Sequence, residues 1–115
     1  MKHSWHSEAV EIAWKMHRLS FRTEEAALRS LKRRCPGIGN VAPELLASAR
    51  EVLLAAIKDV KEELTTFRKY PEMPGGISRH EQLVQSRVEL SKKFPTWPAS
   101  AREHALARAF IYNVL

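Results

Sequence analysis

Two copies of a short proline motif set the layout of the second half of this chain. Lys69-Tyr70-Pro71-Glu72-Met73-Pro74-Gly75-Gly76 is echoed 24 residues later by Lys93-Phe94-Pro95-Thr96-Trp97-Pro98-Ala99-Ser100. Both read lysine, aromatic, proline, any residue, large apolar residue, proline, small, small. A histidine follows at the same offset in each copy, His80 and His104. Proline locks φ, lacks the donor a helix needs and pushes the preceding residue out of the helical region. Each motif therefore ends a helix and stiffens the connection. The pattern predicts helix, rigid loop, helix, rigid loop, helix, and it names no reaction. Two copies are too few for a solenoid, which needs at least about three stacked units.

Apolar residues recur at helical spacing elsewhere, without the alternation of strands. The first helix is expected over about 4–19 or 7–19, with two apolar seams. One seam holds His6, Val10, Ala13, Trp14, His17 and Phe21, and the other Trp5, Ala9, Ile12, Met16 and Leu19; Glu8, Glu11, Lys15 and Arg18 form the strip left for solvent. A helix apolar on two faces is either central in a core or shared with a partner. The second helix is expected over 23–35, with Thr23 as N-cap and Glu24 and Glu25 at the positive helix end. Pro36-Gly37-Ile38-Gly39-Asn40 stops it.

The third helix spans 43–69, on the order of 40 Å at 1.5 Å per residue. Its stripe of Leu45, Leu46, Ala49, Val52, Leu53, Ala56, Ile57, Val60, Leu64 and Phe67 makes it the spine. A fourth helix is expected over 78–94, opened by the capping box Ser78-Arg79-His80-Glu81 and turning Leu83, Val84, Val88, Leu90 and Phe94 inward. A fifth runs from about 101 onward behind a second capping box, Ser100-Ala101-Arg102-Glu103, and ends apolar nearly all round. The expected fold is a single domain over 1–115: an all-α, compact antiparallel bundle of about five helices, with the long helix 43–69 at its centre.

Composition bounds the function classes. An apolar fraction of 44% with a mean hydropathy of −0.35 is that of a globular chain. A chain this size buries roughly two thirds of its unfolded surface and folds without staples. Cys35 is the single cysteine, so no internal disulfide forms and a reducing, cytoplasmic setting is expected. No run approaches the ~18 apolar residues of a membrane span, and there is no secretory h-region near the N-terminus. The net charge is +6, concentrated in residues 1–42, where eight Lys/Arg face four Asp/Glu. Such a domain is drawn to nucleic acid, acidic proteins and anionic surfaces.

Three sets of residues are candidates for function. The leading reading is a non-enzymatic protein-interaction module, adaptor or self-associating, that docks through the seam Trp5, Ile12, Met16 and Leu19. The alternative is nucleic-acid binding through Arg22, Arg29, Lys32, Arg33 and Arg34 on the second helix. Against sequence-specific duplex reading, the connection after that helix is longer than a helix-turn-helix turn, and the third helix opens Pro43-Glu44-Leu45-Leu46, acidic and apolar. Against single-strand stacking, few basic residues in the sequence are interleaved with aromatics. A second alternative is a small enzyme with a pocket of Glu63, His80 and Arg87, with Ser91 nearby, in which Glu63 neutralises an inward arginine; otherwise these residues are a structural ion pair beside a satisfied histidine. No nucleophile with a matched base stands out, so no catalytic residue is assigned. Gly75-Gly76-Ile77-Ser78-Arg79 could hold an anion at a helix start, but Glu81 occupies that space. His3 and His6 share a face without further ligands at the right spacing, and no metal or cofactor is expected. Cys35 faces inward and is expected to be inert.

Overall fold

The sequence's strongest local signals become the helices. The computed structural model describes residues 3–69 and 83–114. It contains α1 (His3–His17), α2 (Glu24–Arg34), a short 3-10 turn (Gly39–Val41), α3 (Ala42–Lys69), α4 (Val84–Lys93) and α5 (Ala99–Val114). No strand occurs among the described residues. The fold is an all-α bundle, as the periodicity predicts. At 28 residues, α3 is about 42 Å long; it runs most of the molecule's 49 Å long axis and packs against every other helix.

The loops form for local reasons. Leu19 adopts the left-handed conformation, φ +61°. Its N–H donates to the Met16 carbonyl at 3.0 Å and that of Ser20 to the Lys15 carbonyl at 2.8 Å. These two bonds close a Schellman motif on α1, with leucine where glycine is usual. Gly37 and Gly39 turn the chain after α2 with φ of +86° and +59°, a region glycine enters without steric cost.

In the second proline loop, Trp97 is buried and Phe94 packs on the core, and the Trp97 ring meets His6 edge-on at 4.7 Å. Arg102 fastens this loop by donating to the Trp97 carbonyl at 2.7 Å and the Phe94 carbonyl at 3.3 Å. This copy plugs the bundle. The first copy, with Tyr70 and Met73, lies outside the described residues, as do Ser78-Arg79-His80-Glu81 and the glycines before them.

Packing settles one open alternative and corrects several expectations. Val10, Ala13 and Trp14 from one seam of α1 and Ala9 and Ile12 from the other are all buried. α1 is thus a central helix, enclosed by α2, α3 and α5. The strip assigned to solvent is partly covered too: Glu8 reaches Arg34 on α2 and Glu11 reaches α5. On α4, Leu83 and Leu90 are buried as expected, but Val84 and Val88 are exposed and Ser86 is buried instead. The described part of that helix starts at Val84, because Leu83 leaves helical geometry at ψ +51°. The capping box Ser100–Glu103 is not formed: α5 starts two residues earlier than expected, at Ala99, and Glu103 turns to Arg87 on α4.

Candidate functional site

The basic face is built on α2 by ordinary helix chemistry. The Thr23 hydroxyl accepts from the Ala26 N–H at 3.1 Å, satisfying one of the unpaired donors of the first turn. Ala27, Leu31 and Cys35 are buried and fix the rotation of the helix. That rotation turns Ala26, Arg29, Lys32 and Arg33 to the other side, at spacings that share one face. With Phe21, these four line an open concavity of about 510 Å³. Arg29, Lys32 and Arg33 are exposed, whereas Phe21 is half-buried and packed on the core. The floor is therefore a ring and a methyl group, and the rim is three cations.

Among the described residues, Arg22, Arg29, Lys32 and Arg33 make no ion pair. Arg34 differs: its guanidinium donates to Glu8 at 2.9 Å, which draws it toward α1 and away from the concavity. Arg22 is exposed just before the helix and does not line the concavity. Of the five cations expected to act together, three converge.

No family model, curated protein or solved structure matches this chain.

The α1 seam does not form a continuous outer surface. Ile12 is 0% exposed, Trp5 and Met16 are partly buried against the core, and Leu19 is 86% exposed beyond the helix end. Ile12 is therefore taken up by the chain's own core. The reason is that α1 packs on three helices, so both of its seams find neighbours within the chain.

The expected Glu63–Arg87 pair is also not formed. One Glu63 oxygen accepts from the Gln85 N–H at 2.9 Å, and the other from the Ser86 N–H at 3.2 Å and the Ser86 hydroxyl at 3.0 Å. Glu63 thus caps α4 from α3, and a carboxylate suits that positive helix end. Arg87 pairs with Glu103 through two guanidinium nitrogens, Nε to Oε1 and Nη2 to Oε2, the second at 3.3 Å. A shallow cleft of about 300 Å³ between α4 and α5 is lined by Arg87, Ser91, Arg102 and Glu103 among others, but not by Glu63. His80 lies outside the described residues.

Sequence reasoning missed the strongest polar cluster. Arg108 Nε and Nη2 donate to the two Glu11 oxygens at 2.9 and 3.1 Å, and His104 Nε2 lies 2.7 Å from Oε2. Burial pushes the Glu11 carboxyl up, but the hydrogen bonds and charges of His104 and Arg108 outweigh it and hold the pKa below the usual carboxylate value. The available signal was His104 and Arg108 four apart on one face of α5, which together demand an acid. The cluster ties α1 to α5 and opens onto no cavity large enough for a substrate among those described.

Burial also raises the Cys35 thiol, as does Glu8, while Arg34 partly offsets them. A buried, protonated thiol is a poor nucleophile. Among the described residues no group of three His, Cys, Asp or Glu could hold a metal ion, and no described helix is long and apolar enough to cross a membrane.

Proposed function

We propose that this protein is a non-enzymatic binding module for nucleic acid, with α2 as its contact face. The observation that carries this reading is the convergence of Arg29, Lys32 and Arg33, none of them ion-paired among the described residues, on one open concavity. Three unneutralised cations on adjacent helical turns repel one another, and a phosphate polymer relieves that repulsion while releasing its own counterions. The +6 net charge adds long-range attraction. In this reading the protein works in the reducing cytoplasm with Cys35 as a free thiol.

The test is binding of mixed-sequence oligonucleotides across a salt series. Affinity should fall steeply as salt rises, with a logarithmic slope near −2 to −3 for about three neutralised phosphates. Arg29→Glu with Arg33→Glu should abolish binding with helicity and melting temperature unchanged. Binding that survives this charge reversal removes α2 from the interface.

A second reading, a protein partner or a second copy of the chain, draws on the apolar surface left around the end of α1. Met16 and the half-exposed Leu54 line one small hollow, and Leu19 protrudes next along the chain. It predicts a mass above 13.2 kDa by light scattering, returned to monomer by Leu19→Glu with Leu54→Glu.

A further inference from the structure

The concavity on α2 has a feature that phosphate binding alone does not require. Its less exposed lining residues are Phe21 and Ala26, near the corner where the chain turns from α1 into α2. A duplex presents to a basic helix a rail of phosphates and sugars, with its bases stacked inside, and gives such a floor nothing flat to hold. An unstacked base does. Base–aromatic stacking tolerates any sequence because every base has a π-face. The concavity is open, with a volume of about 510 Å³, so a strand can lie across it with one base turned in. Arg29 and Arg33 are one turn apart, about 6 Å along the helix, with Lys32 between them. The rim thus offers cations at successive positions along a strand whose base enters the floor.

Resting on the nucleic-acid reading above, we propose that the site takes single-stranded nucleic acid. One base stacks on Phe21, and the flanking backbone phosphates lie on Arg29, Lys32 and Arg33. The half-burial of Phe21 favours this role, because a ring already held by the core loses little freedom on stacking. The contacts named are to the base face and to phosphate, so DNA and RNA strands are both substrates for this geometry.

The experiment measures fluorescence anisotropy of labelled mixed-sequence 12-mers at fixed salt: single-stranded DNA, single-stranded RNA, the corresponding duplex, and poly-glutamate as an acidic competitor. At least one single strand should bind about tenfold or more tighter than the duplex. Phe21→Leu preserves apolar packing but removes the stacking face. It should weaken single-strand binding about fivefold or more while leaving duplex binding unchanged and lowering the melting temperature by only a few degrees. Phe21→Trp should restore single-strand binding, which separates stacking from simple packing. Equal binding of strand and duplex, with Phe21→Leu indifferent, overturns this inference and leaves phosphate binding by α2 standing. Poly-glutamate binding as tightly as the single strand overturns it in favour of an acidic protein partner. No binding of any oligonucleotide overturns both readings.

Discussion

Glu11 and Arg108 are 97 residues apart and form a two-point ion pair that joins α1 to α5. Its partners are only partly exposed, at 18% for the carboxylate and 32% for the guanidinium, so solvent screens it less than a surface pair. With His6 against Trp97 near the start of both helices and His17 against Tyr112 near their ends, it aligns α1 and α5 side by side and in the same direction.

The pH dependence follows from the sign of the Glu11 shift. The folded pKa lies below the ordinary carboxylate value, so the stabilisation is fully present above the unfolded value of about 4.3. It is lost as pH falls through the folded pKa. Glu11→Gln should cost about 2 kcal/mol near neutrality. The gap from the parent protein should narrow in urea melts taken progressively below pH 4. A gap that stays constant down to pH 2 removes Glu11 from the acid limb.

Glu63 fixes the start of α4 from outside the helix. Glu63→Ala leaves the Gln85 and Ser86 amides and the Ser86 hydroxyl without their acceptor, at a cost of about 2 kcal/mol. Hydrogen exchange should accelerate at the amides of Gln85 and Ser86 while those of α2 keep their protection. Equal acceleration in both helices would mean global destabilisation rather than loss of a cap.

Leu19 ends α1 in a conformation that costs a non-glycine residue about 1–2 kcal/mol. Its side chain is almost fully exposed and contributes little packing in return. Leu19→Gly should therefore stabilise the fold by about 1 kcal/mol, roughly 4 °C in Tm. An unchanged or lowered Tm would mean that the leucine side chain makes a compensating contact.

Ile12 and Leu19 share a seam in sequence and separate completely in the fold. Ile12→Glu places an uncompensated charge in the core and should cost on the order of 4 kcal/mol or more, read as loss of the cooperative melt. Leu19→Glu should stay within about 0.5 kcal/mol of the parent. Similar effects from the two substitutions would contradict the burial that divides them.

Some parts of this protein are determined within a few residues. The bounds of α2 follow from Thr23, the acidic first turn and the Pro36-Gly37 stop, because capping and turn formation are interactions over three or four positions. The spine α3 follows from a stripe that no strand could present. The inward face of α2, and so the outward set Arg29, Lys32 and Arg33, follows from periodicity alone. What tertiary structure decided is which partner each exposed or half-exposed group meets. Glu63 sits at the edge of the α3 stripe and Arg87 on the expected inward face of α4, yet Glu63 caps α4, and Arg87 turns to Glu103. Ile12 belongs to a seam that can equally face a partner or a core. Phe21 reaches the concavity beneath Arg29, Lys32 and Arg33 only because the α1–α2 corner brings it there. A helical projection gives an angle about one axis. The pairings depend on the relative rotation and offset of several axes, which the packing of the whole core selects.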